Sequence, residues 1–279
     1  MIKSCNESGT FCILYVAKRN SKMNIVTRTI IGCTAAIMAL AATSCSKDDT
    51  LRYNNATMGN IVEGRFVSDQ GNTFNVVEQN YMAKIDTMKR AFMICDILNT
   101  TAGATDEYDV RVNYLANVLT KDPVVLSENT DEEKLVNDAI ILSDLWISGG
   151  YVNAILTIPI KNGAGNPHMI NFIYDDTETT EGTYTFMIRH NAFGEVLKEN
   201  SNDNHGMVLA NAYVSFPITS TIKEETAKMV IKWQGYKIVD SGIVSSNSQE
   251  YQVERTYTND TFEKVPSNVK TSATLYSIK

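Results

Sequence analysis

From Ile61 onward the chain is a succession of short apolar or alternating runs separated by turn residues. That is the pattern of strands rather than helices. "IVEGRFVSDQGNTFNVV" sets two apolar runs around Asp69-Gln70-Gly71-Asn72, a hairpin signal. "AFMICDIL", residues 91–98, predicts a buried strand. "DVRVNYLANVL", residues 109–119, alternates: Val110, Val112, Tyr114, Ala116 and Val118 share one face opposite Arg111, Asn113 and Asn117, with Leu115 the exception. Strands this short and close predict a small barrel over residues 60–122. A unit of that size buries little surface and needs a neighbour to lean on.

Lys121-Asp122-Pro123 breaks the pattern, and the polar, acidic stretch that follows reads as a linker over 123–138. A second set of strands is predicted near 139–147, 151–160, 168–174, 183–189, 207–216, 228–239 and 251–257, with Gly-, Asn- and Asp-rich turns between them. Seven short strands with this punctuation predict an antiparallel, immunoglobulin-like β-sandwich over 139–279. Trp233, alternating with Met229 and Ile231, is expected in its core.

Gly149-Gly150 predicts a two-residue type I′ turn, because both central residues of such a turn need positive φ. It would pair Ser148 with Tyr151, Ile147 with Val152, Trp146 with Asn153 and Leu145 with Ala154. Val152, Ala154, Leu156, Ile158 and Ile160 then face the core together with Leu145 and Ile147. Trp146 faces the other way, with Asp144, Tyr151 and Asn153. That patch has two outward uses, a surface packed against the barrel or an exposed stacking platform for a sugar ring with Asp144 and Asn153 as hydrogen-bonding partners. A bulged turn would instead flip the register and bury Trp146 in the sandwich core.

Charge and cysteine usage narrow the setting. The 279 residues carry a net charge of -7. Residues 1–44 hold five basic side chains (Lys3, Lys18, Arg19, Lys22, Arg28) and one acid, Glu7; without them the remainder carries -11. Phosphate backbones repel so acidic a body, which argues against nucleic-acid binding, and anionic headgroups would not hold it without another anchor. Of the five cysteines only Cys95 follows position 45, so the body can form no internal disulfide and no cysteine-based zinc site.

Arg28 precedes "IIGCTAAIMALAA", an apolar run too short to span a bilayer as a helix. With the small residues after it, the run reads as a secretory signal over 1–44, for which "MNIVTR" from Met23 already supplies a complete charged start. "AATSC" resembles a bacterial lipobox, which implies that Cys45 is lipidated at sulfur and becomes the mature N-terminus. Ser46, Lys47, Asp48 and Asp49 resemble the export signal of surface lipoproteins in Gram-negative gut anaerobes, which implies an outer-membrane protein facing outward. Residues 45–59 read as a polar tether. Within it, Asp49-Thr50-Leu51 resembles an Asp-Thr-apolar O-glycosylation acceptor of the same bacteria, with Thr50 the accepting hydroxyl; Asp86-Thr87-Met88 has the same form.

On the lipobox, "VRVNYLANVLTKD" (110–122), "DLWISGGYVNA" (144–154) and "MIRHN" (187–191), the chain resembles the NigD-like lipoproteins. The resemblance implies an OB-like barrel followed by an immunoglobulin-like sandwich, and carries no catalytic residue over. The residues themselves name no chemistry either. His168, His190 and His205 occur in no HxxxH or HExxH, no CxxC or GxSxG is present, and Cys95 sits inside an apolar strand. His168 and His190 read as ordinary strand-end side chains, with neighbours across strands as the other reading. Asn200, Asn202 and Asn204 have the first spacings of a calcium loop, but His205 and Asn211 stand where its Gly and closing Glu belong. The expectation is a protein that is not an enzyme and needs no metal or cofactor: a membrane-anchored binding or accessory module for a glycan or an envelope protein. The alternative is a structural subunit of an envelope or secretion complex.

Overall fold

A computed structural model describes residues 51–79, 84–100, 105–162, 167–198, 204–238 and 244–265, all within one compact unit, Thr50–Lys279. Cys45, the Ser46–Asp49 signal and Thr50 lie outside the described residues.

The chain is all-β. Five strands close a barrel: β1 (Leu51–Val62), β2 (Arg65–Ser68), β3 (Thr73–Gln79), β4 (Arg90–Thr100) and β5 (Glu107–Asn117). Their order around it is β1-β2-β3-β5-β4, with β3 parallel to β5 and the other neighbours antiparallel. This is a small Greek-key barrel of OB type. The expected tether therefore ends sooner than Gly59, because Leu51 already pairs with Ile97 on β4.

The barrel core holds Phe66, Phe74, Ala91, Met93, Cys95, Val110, Val112 and Leu115. A bulge in β5 accounts for Leu115. Ile94 pairs with Tyr114 but Cys95 pairs with Val112, so Asn113 is an extra residue and the parity of the strand inverts across it. Val110 and Val112 point into the barrel on one side of the bulge and Leu115 on the other. Tyr114, Ala116 and Val118, expected on the same face as Val110, instead pack in a second cluster with the sandwich.

The sandwich has two sheets. One runs in the order β14 (Val244–Thr258), β13 (Thr226–Ile238), β11 (Thr183–Asn191), β10 (Met169–Thr180) and β7 (Val124–Val125). The other runs β6 (Leu119–Thr120), β12 (Met207–Pro217), β9 (Tyr151–Lys161) and β8 (Ile141–Ser148). Most neighbours are antiparallel, but β11–β13, β10–β7 and β12–β6 pair in parallel. The stretch expected to be a linker, 123–138, is thus part of the fold: β7 within it is an edge strand of one sheet and a short 3-10 turn, Glu132–Leu135, follows, while β6, at the end of the segment expected to be barrel, is an edge strand of the other.

Phe172 anchors the core, stacked between Phe186 (4.8 Å, 4°) and Phe216 (4.7 Å, 9°). Val152, Ala154, Leu156, Ile158 and Ile160 line one side of it, as their alternation predicts.

Candidate functional site

The β8–β9 hairpin decides where the predicted patch goes. Ser148 pairs with Tyr151, Ile147 with Val152, Trp146 with Asn153 and Leu145 with Ala154. Gly149 and Gly150 have φ of 58° and 78°, the conformation a two-residue turn demands. Gly149 also lies so close to the barrel that a Cβ there would sit 2.6 Å from an Asp69 carboxylate oxygen.

Trp146 consequently points out of the sandwich core, but it is only 2% exposed. It packs with Met58, Phe92, Ala116 and Val118 of the barrel segment and Ile155 and Tyr213 of the sandwich; Phe92 and Tyr213 stack at 4.6 Å. The sugar-platform reading of Asp144, Trp146, Tyr151 and Asn153 is therefore corrected. The small barrel needs apolar cover, and the outer face of β8 and β9 supplies it. Asp144 is half-buried, and desolvation raises its carboxyl above the usual range.

Tyr151 and Asn153 join the polar half of the same seam, built around Arg90, which no alternation in the sequence singles out. Arg90, at the start of β4, is 1% exposed and pairs with Asp69, 4% exposed, in the β2–β3 turn. All five guanidinium N–H groups find acceptors. Nη1 donates to Asp69 Oδ1 (2.8 Å) and Asn60 Oδ1 (3.1 Å), and Nη2 to Asp69 Oδ2 (2.7 Å) and Asn153 Oδ1 (2.9 Å). Nε donates to Ser215 Oγ at 2.9 Å. The guanidinium also lies 4.0 Å from the ring centroid of Tyr151. Ser148 donates to Asp69 Oδ2 at 2.5 Å, which closes the network between barrel and sandwich. A sequence signal existed: a cation directly ahead of the apolar run "AFMIC" must either leave the sheet or find a carboxylate.

His168 and His190 are not independent strand-end side chains. His168 Nδ1 lies 2.9 Å from His190 Nε2, and His168 Nε2 lies 3.2 Å from Glu195. Glu195 also accepts from the Lys161 backbone N–H, so this chain of groups ties the ends of β9, β10 and β11 together. Burial, reinforced by the neighbouring imidazole, pushes His190 down to about 3. Burial likewise lowers His168, against the opposing pull of Glu195. With the two rings 0% and 1% exposed, no substrate reaches them. Among the described residues no cluster of three or more His, Cys, Asp or Glu is placed to hold a metal. Asn204, from the calcium-like spacing, bonds instead to the backbone of Lys198. Thr87 lies exposed in a 3-10 turn, with its hydroxyl donated to Lys84 O.

The surface feature with the shape of a binding site is on the open side of the sandwich. There Trp233 is half-buried at the margin of the core rather than inside it, and stacks on Tyr251 (5.7 Å, 17°). Gly235 makes room for this, since a Cβ there would meet the Tyr251 ring at 2.5 Å. Trp233, Gly235, Tyr236 and Tyr251 form one wall of a groove of about 250 Å³, and Ile140, Ile141 and Leu142 form the other.

The family model of the NigD-like C-terminal beta sandwich domain matches residues 122–241. Among solved structures, a protein of unknown function from Bacteroides vulgatus aligns at 17% identity over 76% of this chain and 94% of its own, with a TM-score of 0.53. A putative toxin-related protein from Parabacteroides distasonis aligns at 21% identity over 74% of this chain and 93% of its own, with a TM-score of 0.50. A NigD-like immunity protein from Bacteroides caccae aligns at 17% identity over 77% of this chain and 99% of its own, with a TM-score of 0.47. Identities this low speak for the fold alone. Among curated proteins none matches the chain.

Proposed function

The chain belongs to the NigD-like family through its sandwich domain, and on that premise we propose that it is a lipid-anchored protein of the outer membrane whose body binds a protein partner without turning over a substrate. The observation that carries the binding role is the open, aromatic-walled groove between β8 and the β13–β14 pair. The burial of Trp146 in the seam takes away the ground for a sugar platform and leaves a sheet edge as the exposed feature, which suits a polypeptide. The histidine chain, first in line for acid–base work, is closed to solvent.

The anchor reading is supported by "AATSC" and by the charge of the body, which headgroups would not retain. No helix among the described residues is long and apolar enough to cross a membrane. With β1 starting at Leu51, only Ser46–Thr50 separate Cys45 from the barrel. Fully extended, those residues reach at most about 20 Å, so the anchor holds the barrel close to the bilayer. Cys45→Ala is expected to abolish acylation and shift the protein from the membrane to the soluble fraction, because stable anchoring needs two or more acyl chains. Equal retention of variant and wild type after a carbonate wash would refute the anchor. The binding role is tested by photo-cross-linking the full-length protein in intact envelopes, where a defined protein adduct is the expected result and its absence from every labelled surface position would refute it.

A further inference from the structure

The two sheets of the sandwich are unequal. Both start from one segment, since β6 and β7 lie either side of Pro123, and β10 faces β12 through the Phe172–Phe216 stack. At the other end β13 meets β8, where Ile140 bridges Gly235. With five strands against four, β14 has no strand opposite it among the described residues. Its inner face carries Val253, partly buried against the core, and half-buried Tyr251 beyond it.

The free edge of β8 lies beside that uncovered face. At its start Ile140 N donates to Gln234 O, and Ile140 O accepts from Tyr236 N. At its far end Ile147 O accepts from Glu263 N, and Ile147 N donates to the Glu263 carboxylate. Between these points no described residue bonds to the outer edge. Leu145, two residues before Ile147, directs its N–H and C=O to that same edge by the alternation of a strand, and so does Leu142 beyond a bulge at Ser143. Glu263 demonstrates that the edge accepts another backbone.

Resting on the binding role proposed above, we infer that this groove takes an extended segment of a protein partner, added as a fifth strand alongside β8 and covered by Trp233 and Tyr251 of β13 and β14. Main-chain hydrogen bonds would supply affinity, and alternate side chains would set specificity. Residues of the partner that point inward meet Leu142 and Tyr251, so they are apolar. Residues that point outward lie beside Asp144, and the body as a whole carries -11 after residue 44, so they are basic. Cross-strand pairs of opposite charge stabilise such an edge, and like charges oppose it.

The probe is a synthetic peptide of alternating lysine and valine, about eight residues long to match a typical strand, with a glutamate–valine peptide as control. In the full-length protein in detergent, hydrogen exchange at the Leu142 and Leu145 amides, which point away from β9, is expected to be fast. It should slow by about tenfold or more with the lysine peptide and not with the glutamate one. Trp233→Ala and Tyr251→Ala, shown by circular dichroism to be folded, should each lose the protection. Protection of the Leu142 and Leu145 amides before any peptide is added would mean that the chain itself fills the edge, and would overturn the inference. So would equal protection by both peptides, or none by either.

A photo-cross-linker at exposed Ser143, compared with one at Glu181 in the β10–β11 turn, separates this inference from the broader reading. An adduct at Ser143 that the lysine peptide displaces supports both. An adduct at Glu181 alone leaves a binding protein but removes this site, and no adduct at either position or at any other labelled surface position removes both.

Discussion

Asp69→Asn tests what joins barrel to sandwich. The substitution keeps shape and removes one charge, leaving Arg90 buried at 1% exposure with no carboxylate within reach. The new amide also turns a donor toward a guanidinium whose five N–H groups all require acceptors. Stranding one member of a buried pair costs about 3–5 kcal/mol. For a body of this size each kcal/mol lowers Tm by about 2–4 °C, so a fall of roughly 6–20 °C is expected by calorimetry. Arg90→Met strands Asp69 in the same way, though Ser148 still donates to it. The double variant should therefore be less destabilised than the two single losses combined, with a coupling of at least about 1 kcal/mol. A second readout is local. Trp146 forms the apolar half of the same seam, so acrylamide should quench its fluorescence more readily in Asp69→Asn below the melting transition. A loss under about 1 kcal/mol, additive single variants, or unchanged quenching would refute the view that this network locks the domains.

Gly149→Ala should destabilise by more than about 1 kcal/mol, because the residue has φ of 58° and its Cβ would collide with Asp69; a thermal melt within error of wild type would contradict the packing. Both buried imidazoles titrate below the unfolded value of about 6.5, with His190 at about 3. The unfolded chain then binds more protons, so stability is retained above pH 6.5 and lost as pH falls from there toward 3. His190→Asn should flatten the urea-derived stability curve across that window, and an unchanged curve would count against the buried pair. Burial pushes the Cys95 thiol up to about 12. Mass spectrometry after iodoacetamide at pH 8 should show Cys95 unmodified in the native protein and alkylated once urea unfolds it.

Local pattern by itself determined the class and much of the register. Period-two alternation is a property of single strands, so β9 and its inward face could be read from Val152 to Ile160 without a partner. Gly149-Gly150 carried the turn geometry, and with it the outward direction of Trp146. The resemblance of "AATSC" to a lipobox likewise belongs to the linear chain. Tertiary structure decided what lay on the other side of each face. Whether Trp146 met water or a barrel depended on where β4 and β5 pass, some thirty to fifty residues earlier in the chain. The Asn113 bulge reversed half of β5, because a one-residue insertion is visible only against the neighbouring strand. Residues 123–138 looked like a linker because a two-residue edge strand such as β7 has no periodicity to display. Arg90 and Asp69 lie 21 residues apart, and His168 and His190 lie 22 apart; no local spacing announces either pair, because pairing strands brings them together. The groove is the furthest from the sequence of all these features, since it results from a mismatch in strand number between two sheets, and no single segment encodes that.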